Sequence, residues 1–236
     1  MMMETLTPWQ RFWDRKHRIY ASERHREFHY RRIAEDIIAE LPHAEAILLD
    51  YGCGEALQAE RISRFCGRLV LCEAAPSVRQ GLVARFGSNQ RIVVLAASDL
   101  GQLSASTVDL AIMNSVTQYM SADEFDHVVA KLRLLLRYDG RLIVGDVVPP
   151  GGAIVGDVAS LLRTSIEGGF VIAAIWSLVA TLFSPYRKLR RKVGLSTYTE
   201  AEIKARLARA GFHVERRNRN FGFHRGRATY VATRTR

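Results

Sequence analysis

Between Ala46 and Val147 the chain alternates short apolar runs with amphipathic segments. The runs are AILLDY (46–51), RLVLCE (68–73), RIVVLA (91–96), VDLAIMN (108–114) and GRLIVGDV (140–147). Between them lie ALQAERISRF (56–65), SVRQGLVARF (77–86) and ADEFDHVVAKLRLLL (122–136), each with apolar residues at helical spacing. Near-continuous apolar runs indicate strands buried on both faces, and helices between them indicate parallel crossovers. The pattern predicts a doubly wound α/β sheet.

Residues 8–41 precede this core and are dense in charge and aromatics (Trp9, Phe12, Trp13, Tyr20, Phe28, Tyr30). Ile33, Ile37, Ile38 and Leu41 recur at helical spacing until Pro42 ends the pattern. After Pro149-Pro150 the alternation breaks and residues 151–197 read as a helical insertion following the fifth strand. Thr199 then opens a helix, TEAEIKARLARAG, with Glu202 placed for a capping box and Gly211 for the residue past its end. FHVERRN (212–218) and RATYVATR (227–234) read as two closing strands. We therefore expect one domain in four parts: a helical lid (1–43), a ligand-binding core (44–150), a substrate insertion (151–197) and a closing helix with strands (198–236).

Composition agrees with one well-cored domain: 236 residues, 48% apolar and 25% charged, which excludes disorder and disulfide scaffolds. Cys53, Cys66 and Cys72 have neither zinc nor C-x-x-C spacing and read as free thiols in a reducing compartment. Residues 1–9 show no basic stretch leading into an apolar one, so a cytoplasmic protein is expected. The net charge of +10 is unevenly spread. Residues 187–236 hold 15 Lys/Arg against three Glu, giving +12, while residues 1–186 sum to −2.

The first strand runs into Asp50-Tyr51-Gly52-Cys53-Gly54-Glu55-Ala56. Glycines there let backbone turn tightly and approach a ligand, with a helix start behind them. A dinucleotide fingerprint would need a third glycine where Leu57 stands. The alternative is an acidic residue followed by x-G-x-G, and LLDYGCGEA closely resembles the first motif of class I S-adenosylmethionine-dependent methyltransferases, with Ala56 in place of the usual last glycine. The resemblance extends over roughly residues 30–233, through Glu73, Asp99, Asn114 and AEIKARLARAGFHV. It implies a Rossmann-like seven-stranded sheet with an antiparallel last strand, S-adenosyl-L-methionine as cofactor and S-adenosyl-L-homocysteine as product.

Mapped onto this chain, the resemblance implies cofactor contacts from Asp50, Gly52, Gly54, Glu73, Ala74, Ser98, Asp99, Asn114 and Ser115. Glu73 can accept from both ribose hydroxyls, Asp99 from the adenine amino group, and Asp50 can meet the methionine ammonium or hold the loop's own N–H groups. With these carboxylates allotted to the cofactor, no metal site is expected. Asn114-Ser115-Val116-Thr117-Gln118-Tyr119 resembles the N-S-V-x-Q-Y segment that flanks the transferring methyl in small-molecule methyltransferases, and it lacks the [DNS]-P-P-[YFW] of amino-directed DNA and RNA enzymes.

Methyl transfer can proceed largely by positioning, so a base is optional; His29, Tyr119 and His224 are the catalytic candidates. Tyr20, Tyr30, Gln118, Trp176 and Arg225 are the substrate-binding candidates. Gly168–Tyr186 is a run of 19 residues without a charge, followed by Arg187, Lys188, Arg190, Arg191 and Lys192. Three readings stand: a membrane span, a lid helix over an apolar substrate, or a helix resting at a membrane surface through 168–192. The expected partner is a small apolar or amphipathic molecule, with RNA methylation and a cofactor-free scaffold as competing classes.

Overall fold

The computed structural model describes residues 6–15, 22–151, 193–222, 224 and 226–235. Tyr20, Trp176, Arg225 and the 168–192 segment, named above as candidates, lie outside the described residues.

A seven-stranded sheet has the order β3-β2-β1-β4-β5-β7-β6. Its strands are β1 (Ile47–Tyr51), β2 (Arg68–Cys72), β3 (Ile92–Leu95), β4 (Val108–Asn114), β5 (Leu136–Val147), β6 (Phe212–Arg216) and β7 (Ala228–Arg234). Strands β1 to β5 pair in parallel, and β7 runs antiparallel between β5 and β6. This is the doubly wound sheet expected from the alternation, and the Rossmann-like order with its reversed strand is the one the family resemblance implied.

Side chains alternate across the sheet with period two. Leu49, Val70, Ala111, Met113, Leu142 and Val144 pack on one face against Phe125, Val129 and Leu132 of α5 (Ala122–Leu135) and Ile203 and Leu207 of α6 (Glu200–Arg209). Leu48, Leu69, Leu71, Leu110, Ile112 and Ile143 pack on the other against Ala34 and Ile37 of α2 (Glu23–Glu40), Ile62 of α3 (Ala59–Ser63) and Leu82 and Phe86 of α4 (Pro76–Phe86). Helix α6 starts at the capping box of Thr199 and Glu202, and Gly211 follows it with φ +84°. The amino-terminal extension forms two separately capped helices: α1 (Pro8–Trp13) starts at Thr7 with Gln10 completing a capping box, and α2 starts at Ser22.

Helix α2 turns two buried carboxylates toward the basic carboxy-terminal region. Asp36 pairs with Arg219 and accepts from the Gly222 N–H at 2.9 Å. Glu40 pairs with Arg141 at 3.1 Å and also with Arg217. On the far side of the sheet Arg216 pairs with Glu200 at 2.6 Å. These arginines fasten the carboxy-terminal strands to the core, and removing a buried partner carboxylate strands their charge. Glu40→Ala should therefore lower stability by about 2–3 kcal/mol, measured by urea unfolding at neutral pH.

Candidate active site

All five parallel strands end at one edge of the sheet, and the loops there form two adjoining clusters. The first is the turn after β1, where Gly52, Gly54 and Ala56 have φ of +73°, +57° and +43°. A side chain at residue 52 would bring its Cβ to 2.5 Å from Val116 Cγ2, so only glycine fits there. Ala56 takes the left-handed conformation without glycine's freedom, at a cost of about 1–2 kcal/mol.

The turn is pinned from both sides. The Gly52 N–H donates to the Cys72 carbonyl at 2.8 Å, the Gly54 N–H to Glu73 Oε2 at 2.9 Å, and the Glu55 N–H to Tyr30 Oη at 3.2 Å. Glu73 is buried at the end of β2, and its Oε1 also accepts from the Ala75 N–H at 2.8 Å. Arg79 on α4 donates to the carbonyls of Glu73 and Ala74 at 2.9 and 3.2 Å. Burial raises the Glu73 carboxyl above its usual range, opposed by these N–H donors and by Arg79. Asp50 is half-buried at the end of β1, and burial together with Glu73 raises its carboxyl to about 7. Asp99 is half-buried in the 3-10 turn Ala97–Gln102 that follows β3, with the Ser98 hydroxyl 3.4 Å from its Oδ1.

The second cluster centres on Asp146, buried at the end of β5 where the pairing with β7 shifts register between Val144 and Val147. Asp146 and Ser115, on neighbouring strand ends, are both non-glycine residues with positive φ, +61° and +60°. The Ser115 hydroxyl donates to Asp146 Oδ2 at 2.8 Å, and Arg227 donates to the same oxygen at 2.5 Å. Asn220 exchanges two hydrogen bonds with Asp146, its Nδ2 reaching Oδ1 and its Oδ1 accepting the Asp146 N–H, both at 3.1 Å. Arg227 also reaches Gln118 Oε1 at 3.3 Å, and Gln118 is buried.

His29 of α2 faces this cluster. Its imidazole is lowered to about 4 chiefly by burial; Asp146 opposes the shift, while His224, His25 and Arg227 add to it. His25, one turn earlier, is also lowered to about 4 by burial and by His224. Beside the cluster an aromatic wall is built from α1: Tyr119, in the 3-10 turn after β4, packs tilted against Trp9 at 4.7 Å and edge-on against Trp13 at 5.3 Å between ring centroids. Asp14 at the end of α1 accepts from the Ser77 N–H at 2.6 Å, in the first turn of α4. Helix α1 thus joins the loop after β4 to the helix start after β2.

Comparison with known proteins bears on this edge directly. Residues 49–144 match a family model described as a methyltransferase domain. Over those 96 of its 236 residues the chain carries a methyltransferase domain. S-adenosylmethionine is the cofactor expected for a domain of this kind. A search of curated proteins returned no match. Among solved structures the fold is similar to magnesium protoporphyrin IX methyltransferase (ChlM) from Synechocystis PCC 6803, at 16% identity and TM-score 0.55 over 96% of this chain and 93% of that one. It is also similar to the pyocyanin biosynthetic protein PhzM (15%, 0.55, 88% of this chain, 55% of that one) and to Bacillus subtilis YcgJ (12%, 0.54, 80% and 70%).

The methyltransferase's own residues fit that cofactor. A half-buried carboxylate whose ionisation is opposed by burial and by Glu73 gains from a neighbouring cation, which suits Asp50 to the ammonium of the amino-acid end. Each Glu73 oxygen spends a lone pair on a loop N–H and keeps another for a ribose hydroxyl. The structure gathers Asp50, Gly52, Gly54, Glu73 and Ala74 into the first cluster and sets Asp99 with Ser98 at the end of the next strand over. It gathers Ser115, Gln118, His29 and His224 about Asp146, with Asn114 bonded to Ser115. Tyr30 sits on the glycine turn and Tyr119 in the aromatic wall. Among the described residues no grouping of histidine, cysteine and carboxylates could hold a metal. Cys53, Cys66 and Cys72 are buried, and burial holds each thiol above its usual range.

Sequence reading missed Asp146 and Asn220 and saw Arg227 only as part of a basic stretch. The available signal was a lone carboxylate inside the apolar run RLIVGDVV (141–148).

Asp50 also sets a pH dependence. Between its usual value of 3.8 and about 7 the folded methyltransferase holds a proton there that the unfolded chain has released. This contribution to stability is full at low pH and is lost as pH rises through about 7. Thermal unfolding of the cofactor-free protein across this range should show the decline, and Asp50→Asn should flatten it while weakening cofactor binding.

Proposed function

We propose that the enzyme transfers a methyl group to a small, partly apolar metabolite at an oxygen, nitrogen or carbon atom. The observation that carries this reading is the juxtaposition of the two clusters. A cofactor-binding turn lies on one side, and on the other a polar centre sits beside a wall of Trp9, Trp13 and Tyr119. The cofactor supplies a methyl on a positively charged sulfur, which an acceptor lone pair can take in line while the bonding pair stays on sulfur. The chain's part is then to orient the acceptor and exclude water, the effects that positioning can supply. His29 faces Asp146 and, lowered to about 4 by burial, is uncharged at neutral pH; it is the first candidate base, a weak one in the free enzyme. His224, at the same cluster, is the second candidate base; Tyr119 belongs to the aromatic wall.

Both stems of the insertion reach this edge. Gly151 lies four residues past the end of β5, and at the other end of the insertion the Ser196 N–H donates to the Gln118 carbonyl at 2.9 Å and the Tyr198 N–H to the Val148 carbonyl at 3.0 Å. The described residues that flank 152–192 therefore stand at this edge, which favours a role for that apolar stretch in holding an apolar substrate or in drawing one from a membrane surface. Among the described residues no helix is long and apolar enough to cross a membrane. The arginine-rich end lends less support to RNA, because Arg216, Arg217, Arg219 and Arg227 each face a carboxylate of the same chain. ChlM and PhzM, named for a porphyrin and for pyocyanin biosynthesis, fit a small-molecule acceptor.

Calorimetric titration with S-adenosylhomocysteine tests the cofactor half of this reading. Glu73→Ala should weaken binding at least about tenfold, since it removes a charged acceptor and releases the Gly54 N–H. Binding as tight as in the parent would overturn the assignment of this loop set.

A further inference from the structure

Two non-glycine residues in the left-handed region stand on adjacent strand ends and hydrogen-bond each other. Such conformations cost of order 1–3 kcal/mol each and persist where surrounding structure enforces them. Here the enforcement is visible. Asp146 is held by Asn220 at both its main chain and its side chain, and Thr229 Oγ1 donates to Asn220 Oδ1 at 2.8 Å to fix that amide. Gly145 leaves the room that the Asn114 amide occupies; a Cβ there would collide with Asn114 Oδ1, which is buried without a hydrogen-bond partner. Strain and an unmet acceptor thus meet where β4 and β5 end.

The consequence falls on Ser115, which is half-buried. Its single O–H is committed to Asp146, a carboxylate that can only accept. One lone pair of Ser115 Oγ takes the Asn114 Nδ2–H at 3.3 Å. The remaining lone pair gives Ser115 a fixed polarity: toward anything else it is an acceptor. With the Asp146 charge already balanced by Arg227, the centre offers an oriented dipole in place of a bare anion.

We propose that Ser115 is the specificity-determining contact for the methyl acceptor, selecting a nucleophile that carries a proton on its attacking atom, and that Asp146 with Arg227 is its positioning pair. The inference rests on the methyl-transfer reading and narrows it, favouring a hydroxyl or amine over an olefinic carbon.

The test uses sinefungin, a cofactor analogue in which an amino-bearing carbon replaces the methyl-bearing sulfur. It matches S-adenosylmethionine in charge and differs by presenting N–H donors where the methyl stands. Both ligands are titrated calorimetrically into the full chain. In Ser115→Ala the preference for sinefungin over S-adenosylmethionine should fall at least about tenfold, the worth of one charge-assisted hydrogen bond, over and above any loss of affinity common to both ligands. Asp146→Asn, which offers Ser115 a donor as well as an acceptor, should lower the same preference with S-adenosylmethionine binding retained. An unchanged preference in both variants overturns the proposal. A loss of both ligands in step in both variants marks a purely structural role and overturns it too. Failure of the parent protein to bind either ligand would instead refute the cofactor reading beneath it. Transfer of labelled methyl to an apolar phenol or to a primary alkylamine separates hydroxyl from amine, and label appearing only in an olefin probe counts against the proposal.

Discussion

Burial of the sheet on both faces is the constraint from which the site follows. Leu48 and Leu49, Leu110 to Met113 and Leu142 to Val144 alternate between two helical layers, so the middle of each central strand is apolar on both sides. An unpaired polar group there would cost about 2–7 kcal/mol on transfer from water. Polar chemistry is therefore displaced to strand ends, and parallel crossovers bring the carboxyl ends of five strands to one edge. Asp50, Glu73, Asp99, Ser115 and Asp146 stand at or just past those ends, and their proximity is a product of topology.

At that edge main-chain N–H groups and carboxylates organise one another. Glu73 takes the Gly54 and Ala75 N–H groups, so a carboxylate at the end of β2 holds the shape of the glycine turn. Asp146 does similar work one layer away, fixing Ser115 and Arg227 while Asn220 fixes its own backbone. In each case a buried carboxylate is tolerated because donors surround it, and those donors make it a rigid reference point for its neighbours.

The excess positive charge of the carboxy-terminal fifth has a structural outlet. Arg217 and Arg219 meet Glu40 and Asp36 of α2, Arg216 meets Glu200, and Arg227 meets Asp146. A sequence with a near-neutral body and a basic end becomes a fold in which the last strands are tied down by ion pairs reaching across roughly the whole chain. The net charge counts residues, whereas the field at the surface depends on which of them are paired.

The sequence by itself determined the order and type of the core elements, because alternating short apolar runs and helical segments have few ways of being buried. It also determined the glycine turn, since backbone conformation at Gly52 and Gly54 is a local property of the residue. The capping box at Thr199 and the reversed strand β7 were legible for the same reason and through the family resemblance. What only the tertiary structure decided is the Asp146 centre: its members come from α2, the ends of β4 and β5, and the loop between β6 and β7, separated by up to 198 positions between His29 and Arg227. No local pattern encodes that meeting. Tyr119, a catalytic candidate from sequence, packs in space against Trp9 and Trp13 of α1, a contact set by what lies opposite the side chain and not by its neighbours in the chain.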